Sequence, residues 1–397
     1  MTESALDTLP NFRRKHLIRS LIAYWILGLC NNYGYVVMLT AANDIISQYE
    51  EPEESSKIRD NCKYMSTGAI LLADILPSLI IKLAAPFIPF VIHFRVAVCV
   101  LLAASGYLSV AFSKTIFVSI LGVVLTAICS GLGEVTYLQY CSFYKKSVIS
   151  AWSSGTGGAG VIGALSYSLL QSIGMQTALL IMLIIPTLTA ISFWIILPAP
   201  SEHDIAAALE IQKKVNEDEI KQPKETFFRK LKLIPALLKY IIPLGLVYLF
   251  EYFINQGTFE IIQIPNSSVS VDSQYRWLQV TYQVGVFISR SSVNLIHIKQ
   301  IWIMAVLQGM NVIIFTTEAI YYYIPNFYII VALVLWEGLL GGLAYVNTYY
   351  RIANEAEQEN KQFSMAITGF GDSAGISLAG IFAILAHNAI CNIPVPS

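Results

Sequence analysis

The sequence predicts an all-α, polytopic membrane protein of about eleven transmembrane helices. Its 397 residues are 55% hydrophobic and 13% charged, well below the charged share of roughly 25% usual in soluble domains. The apolar residues run continuously over stretches that reach the ~20 residues a spanning helix needs, and several carry helix-period stripes. A membrane β-barrel would instead show shorter segments alternating apolar with polar residues, so the barrel is rejected. Charged side chains inside some of these stretches are the third observation. At that depth they need a protein interior or a water-filled cavity, so they mark a polar path.

The first stretch, residues 17 to 45, follows Arg13, Arg14, Lys15 and Arg19. It is too long for a signal-peptide core and lacks a small-residue cleavage site, so it reads as a retained helix with a cytosolic N-terminus. The second, 65 to 90, carries Lys82, the third is 96 to 113, and the fourth, 115 to 141, carries Glu134 within SGLGEVTY. The fifth, 148 to 172, is rich in small residues, and the sixth, 176 to 198, closes a first half spanning 1 to 198. Residues 199 to 235 form the one long polar connection, expected as a cytosolic linker. Its front part can form an amphipathic helix and its basic end, Arg229 to Lys232, can lie on an anionic leaflet, although a plain solvated linker is the simpler reading. The second half, 236 to 397, holds stretches at 236 to 256 with Glu251, 273 to 293 with Arg290, 300 to 317, 326 to 347 with Glu337, and 363 to 387 with Asp372.

Threading these spans from a cytosolic start puts Arg95, Lys145, Lys146, the linker's basic residues, Lys299, Arg351 and Lys361 on the cytosolic side. Only Lys57, Arg59, Lys63 and Lys114 fall opposite. The asymmetry follows the positive-inside rule and makes the C-terminus lumenal. The single glycosylation sequon, at Asn266, falls in a loop on the non-cytosolic face and agrees. Cys30, Cys99, Cys129 and Cys141 lie in or beside apolar spans, whereas Cys62 and Cys391 share the lumenal side and read equally as a pair or as free packing thiols. With 25 basic and 26 acidic residues, overall charge points neither to nucleic acid nor to an anionic surface partner.

An internal repeat crosses the linker. GLGEVTYLQY at 131 to 140 resembles LLGGLAYVNT at 339 to 348, aligning Gly133 with Gly341 and Tyr137 with Tyr345. SSGTGGAG at 153 to 160 similarly resembles TGFGDSAG at 368 to 375. Each pair joins the fourth and fifth helices of its half in the same orientation. Parallel halves of this kind characterise major facilitator transporters, whose solute site lies between halves at the midplane. Chance similarity between small-residue helices is the rival explanation, and six plus five helices falls short of the usual twelve. Gly155 to Gly160 also satisfies GxGxxG, but inside an apolar span it reads as close helix packing, with Ser153 and Gly157, and Gly160 and Ala164, at four-residue spacing.

Polar stripes on four helices can line one cavity. Tyr24, Gly28, Asn31 and Tyr35 share a face of the first helix, and Ser130, Glu134, Tyr137 and Cys141 a face of the fourth. Glu251 and Asn255 lie one turn apart on the seventh, while Gln279, Gln283 and Arg290 form a stripe on the eighth. Interhelical hydrogen bonding explains any single amide or tyrosine better than ligand contact does. Glu134 and Glu251 read equally as transport groups or as halves of structural ion pairs. Lys82 and Arg290 sit near helix ends, where snorkelling alone can satisfy them. Arg290 is the better anion ligand, because it continues a polar stripe and a guanidinium binds phosphate in bidentate geometry. Glu337 and Asp372 are second-tier cavity candidates. No hydrolase, kinase or zinc pattern is present, and the five histidines are dispersed, so neither catalysis, a metal nor a cofactor is expected.

AYWILGLCNNYGYVVMLTAANDI, LLADILPSLIIKLAAP, CSGLGEVTY, ISAWSSGTGGAG, EYFINQG, QYRWLQVTYQVGVFISRSS and EGLLGGLAYVNT resemble the battenin family of lysosomal membrane proteins. The matches run from the first helix to the last and spare only the termini and the linker. The resemblance implies a major-facilitator-like fold, lysosomal or vacuolar residence, and a role in clearing glycerophosphodiesters. Basic amino acid handling and lumenal pH regulation are also implied. Glu134, Glu251 and Arg290 lie within the family motifs. The linker has no strict acidic dileucine signal, and myristoylation and prenylation motifs are absent from the sequence, so lysosomal residence rests on the resemblance.

The leading expectation is a transporter exporting a glycerophosphodiester. Arg290, with Lys82, would attract the anion, and Asn31, Asn255, Gln279 and Gln283 would bind glycerol hydroxyls. Glu134 or Glu251 would take a proton from the acidic lumen. Transport of a basic amino acid such as arginine, with the glutamates as binding anions, is one alternative. A non-transporting scaffold in endolysosomal trafficking is the other.

Overall fold

The computed structural model describes residues 10–49, 62–63, 65–85, 91–141, 143–145, 147–200, 223–265, 267–292, 298–356 and 361–394. Asn266 and residues 201–222, the body of the expected linker, lie outside them. Each of the eleven expected stretches falls on helix. In chain order these are α1 (Pro10–Thr40), with the short α2 (Ala42–Ser47), α3 (Gly68–Ala84), α4 (Ile92–Ala111), α5 (Ile116–Cys141) and α6 (Ser147–Leu170). The sixth stretch is broken into α7 (Met175–Ile181) and α8 (Ile184–Ile191), which ends in a π-helical turn, Ser192–Ile196. The second half contains α9 (Pro223–Phe253), continued as a π-helical segment, Ile254–Thr258, then α10 (Val271–Ser291), α11 (Trp302–Tyr321), α12 (Phe327–Glu355) and α13 (Lys361–Cys391). The last twelve or so residues assigned to the linker are thus already helix, because α9 starts well before its apolar run.

Among the described residues eight helices are long and apolar enough to cross a membrane. The three that fall short are α3, at 17 residues, α6 and α10. These are the helices at the junction of the halves: α6 packs on α10, and α3 on α13. α3 falls short by length alone and is otherwise strongly apolar; protein rather than lipid covers the polar faces of α6 and α10, so these two need not be apolar all round. The lipid-facing helices behave oppositely. Leu101, Phe117, Ile195, Val306, Ile313 and Leu385 are each more than half exposed, a distribution suited to hydrocarbon and not to water.

Packing within the two halves repeats. α1 lies on α6 as α9 lies on α13, α3 on α5 as α10 on α12, and α4 on α5 as α11 on α12. In both halves the first helix meets the fifth and the fourth meets the second and third. This is the pairing expected of the GLGEVTYLQY and LLGGLAYVNT repeat. The sixth helix of the first half covers α1, α4 and α6. The corresponding groove of the second half, between α9, α11 and α13, is lined by Leu249, Phe250, Phe253, Val312, Phe382 and Leu385.

Small residues set the closest approaches. Gly155 packs on the backbone of Trp25, Gly28 on that of Trp152, and Gly160 against the Gln283 carboxamide from the other half. Gly157 faces open space, so the expected Ser153 and Gly157 pairing is not a packing contact. The α1 face of α6 is instead Gly155, Ala159 and Gly163, four residues apart in register with α1.

Cys62 and Cys391 form a disulfide, with Cα atoms 5.7 Å apart and 329 residues between them in sequence. It ties the approach to α3 to the end of α13, across the halves. Cys30, Cys99, Cys129 and Cys141 are free. Alkylation of the denatured, unreduced protein is therefore expected to modify four thiols and alkylation after reduction six, as read by intact mass. Six modified thiols without reductant would contradict the pairing.

Candidate functional site

Charged residues from both halves gather where α3 and α5 face α10, α12 and α13. The Lys82 ammonium lies 2.7 Å from Glu134 Oε2, and their side chains keep 32% and 36% of their surface open. Lys82 is thus the partner of Glu134 rather than an isolated snorkelling cation, and Glu134 is half of an ion pair. Both lie within electrostatic reach of Asp372, whose carboxylate accepts a 3.1 Å hydrogen bond from Ser373 Oγ. Tyr345 is close to all three and to Arg290.

Arg290 is held by aromatic groups. Its guanidinium carbon lies 4.2 Å from the centre of the Tyr345 ring, and Nη2 donates to the Tyr248 hydroxyl at 3.0 Å. Both are interactions that keep the charge. Its Nε has no hydrogen-bond partner, and among the described residues the side chain makes no ion pair. The residue as a whole is half-buried. Glu251 lies within its electrostatic reach, but a half-buried cation that makes no close ion pair can still bind an anion.

Glu251 lies deeper and is 1% exposed. One oxygen accepts a hydrogen bond from the Tyr282 hydroxyl, and the other has no partner. Gly341 of α12 abuts the carboxylate. In the first half the aligned Gly133 of α5 abuts the Asn31 carboxamide of α1. The repeat therefore brings a neutral amide and an acid to equivalent places. Glu337, one turn before Gly341, is fully buried and neither oxygen has a partner.

The remaining amides do not converge. Asn31 donates to the Ser130 carbonyl at 3.1 Å and lines a narrow cleft inside the first half with Cys30, Cys99 and Tyr107. Asn255 is buried with both amide atoms unpartnered, while its backbone carbonyl accepts from Gln279 Nε2 at 3.2 Å. Gln283 stands at the crossing of α6 and α10 and is partly open. The tyrosine of the α1 stripe nearest the N-terminus, Tyr24, packs against Tyr144 within the first half, so the four stripes do not line a single cavity.

The two ends of the bundle differ. At the end holding the disulfide, Asp44 beyond α1 meets Arg276 of α10 at 2.6 Å and accepts from the Tyr167 hydroxyl at 2.9 Å. Glu260 accepts from Ser66 Oγ and the Thr67 amide, both at 2.7 Å, and contacts His387 at 3.0 Å. The Tyr275 hydroxyl donates to the Leu39 carbonyl at 2.9 Å. Each network joins the halves. At the opposite end the polar contacts between described residues stay within a half. Arg19 binds the Ile195 and Ile196 carbonyls, Arg95 contacts Gln139, and Lys239 and Arg351 contact Glu355. Arg351 beside Glu355 holds that carboxyl down at about 2, so any support from this exposed pair is present above the ordinary carboxylate range and lost only as pH falls towards 2.

Sequence reasoning passed over Asp74, Asp44 with Arg276, and Glu260 with His387. Asp74 in LLADILPSL carried the same signal as Glu134, an acid inside an apolar run. The others lie at span ends, where charge is ordinary and only a partner distant in sequence marks it.

A family model described as CLN3 protein matches residues 22–393. Battenin of Canis lupus familiaris is 41% identical over 98% of this chain and 96% of its own length. Protein BTN1 of Yarrowia lipolytica is 36% identical over 96% of each. Among solved structures, a D-xylose-proton symporter matches with a TM-score of 0.63 at 10% identity, covering 96% of this chain and 98% of its own. A bacterial homologue of the human lysosomal transporter Spinster matches at 0.59 with 14% identity, covering 92% and 81%. These likenesses give the fold, the two-half major-facilitator-like bundle.

Asp44 and Arg276 are buried, with side-chain exposures of 14% and 6%. Removing either partner leaves a buried charge uncompensated, at a cost of about 3–5 kcal/mol, whereas removing both is much less costly. Asp44→Asn and Arg276→Gln should each lower the apparent Tm of the purified protein, and the double variant should recover most of the loss. Additive losses would show that the pair is not coupled.

Proposed function

The chain belongs to the CLN3 protein family, and from that premise we propose that it is a lysosomal or vacuolar transporter that exports glycerophosphodiesters. It works by alternating access between the halves 1 to 198 and 236 to 397, joined by the 199 to 235 linker. The observation that carries the reading is Arg290, a half-buried cation at the junction of the halves that makes no close ion pair among the described residues. A phosphodiester supplies one negative charge and two acceptor oxygens, which suit the planar fork of a guanidinium.

Reachability separates the candidates. Lys82 is open but neutralised by Glu134, so it adds to the field at the site more than it binds. Asn31, Asn255 and Gln279 are buried in this arrangement. Gln283 keeps open surface between the halves and is the amide best placed for a glycerol hydroxyl. Glu251 and Glu337 are enclosed; a cationic amino acid would meet Arg290 before it met either.

The disulfide supports a lumenal assignment for its end, since disulfides persist in oxidising compartments. That places the N-terminus in the cytosol and the C-terminus in the lumen, in agreement with the distribution of basic loops. The cross-half ties then hold the lumenal side together, and the ion pairs at the cytosolic end stay within each half. In this state a solute taken from the lumen is released.

Proteoliposomes containing the protein should take up or release labelled glycerophosphoglycerol faster than protein-free vesicles. Arg290→Gln should reduce the rate about tenfold or more, a loss of ~1.4 kcal/mol in solute binding, and Arg290→Lys should fall between. Full competition by arginine, with glycerophosphoglycerol ineffective, would replace the anion with a basic amino acid as substrate. Activity in cells that survives Arg290→Gln but is abolished by a neutral replacement of residues 202 to 228 would favour the trafficking scaffold.

A further inference from the structure

Asp74 stands in the middle of α3 and takes no part in the cluster around Arg290. It is fully buried, and neither carboxyl oxygen has a hydrogen-bond partner. The titratable groups that face it are phenols, Tyr35 from α1 and Tyr107 from α4, whose hydroxyls are buried and likewise unpartnered. Tyr252 of α9 stands next to Tyr35. Among the described residues no ionised group from α5, α13 or any other element acts on the Asp74 carboxyl. Lys82, two turns along the same helix, is engaged by Glu134.

An ionised carboxylate without a partner in such a place is costly enough that the group takes a proton instead. α3 is also the helix through which the first half touches α13. Gly68, at its start, packs against Gly380 and Ala383 of α13, and Leu72 fills the space at Gly380. Asp74 lies only six residues beyond Gly68, about 9 Å along the helix. The Glu260 network and the disulfide close the same end. Asp74 itself projects roughly 140° round α3 from the Gly68 and Leu72 face, so water would reach it where Tyr35 of α1 meets Tyr252 of α9, a contact between the halves that parts as that side opens.

We propose that Asp74 is a proton-binding site read from the lumen: it is ionised when the lumenal side is open and holds one proton when that side closes. The site rests on the two-half reading above, but not on the identity of the solute. Closing takes up one proton per chain, so acidification favours the closed state. The ratio of closed to open protein then rises about tenfold for each unit of acidification while open-state Asp74 remains ionised. An acidic lumen would thereby drive the chain towards its cytosol-facing state.

The test uses the full chain in lipid nanodiscs, without solute. Spin labels at Gln48→Cys and Asp272→Cys, both exposed at the rim of the lumenal recess, report closure as a distance. The background carries Asp44→Asn with Arg276→Gln, which loosens closure and removes the other acid from that tie. Between pH 7.5 and 5.5, adding Asp74→Asn should lower the slope of log(closed/open) against pH by one proton. The infrared absorption of protonated carboxyls, seen at pH 7.5 in the closed protein, should lose one component in Asp74→Asn, while that of Glu337, equally buried and unpartnered, remains. If Asp74→Asn does not fold, Asp74→Glu should keep the slope and shift that component. An unchanged slope overturns the proposal: with the component lost, Asp74 is a static buried acid, and with no component lost, it is not protonated at all. Because no solute is present, failure of glycerophosphoglycerol transport leaves these outcomes unaffected.

Discussion

Charge inside a bilayer must be covered by protein, and the architecture of this chain follows from that constraint. α3, α6 and α10, which carry Asp74 and Lys82, a small-residue polar face, and Arg276 and Arg290, press against the opposite half, while Leu101, Phe117 and Val306 face outwards from helices that carry little charge. The junction between halves is therefore where most cross-half polar contacts are kept, and also the surface that must slide if the protein alternates. Binding and motion share the same residues there.

At this junction the two ends are treated differently. The disulfide end is held by Asp44 with Arg276, by Glu260 with Ser66, Thr67 and His387, and by the Cys62 to Cys391 bond. The opposite end keeps its ion pairs within each half, as with Lys82 and Glu134 or Arg351 and Glu355. An ion pair inside one half stiffens that half without resisting separation, whereas one between halves must break before the faces part. The repeat adds a second asymmetry. Gly133 and Gly341 occupy equivalent positions, yet one receives the amide of Asn31 and the other the carboxylate of Glu251. The first half is thus electrically quiet where the second carries an acid.

Much of the fold was legible in sequence. Continuous apolar runs located all eleven helical stretches, because a spanning helix must be apolar for its full length wherever lipid surrounds it. The boundaries were less legible: α9 begins upstream of residue 236 and α12 runs past residue 347, since a helix continues into water wherever its residues allow. The candidate site was only partly legible. Glu251 and Arg290 stood out as charges at depth, but the same signal could not tell that Lys82 neutralises Glu134. Nor could a helical stripe reveal that Asn31 is turned into its own half.

What the sequence by itself determined is the class of the protein, the number and order of its helices, and which residues carry charge where lipid forbids it. These follow from composition and period along one segment at a time, which is all that transfer to a bilayer depends on. The tertiary structure alone decided which charges are spent on each other, which remain reachable, and which acids, Asp74 and Glu337, are left without a partner. Those outcomes depend on distances of a few ångströms between segments far apart in sequence, such as Asp44 with Arg276 or Cys62 with Cys391. No pattern within a single helix contains them.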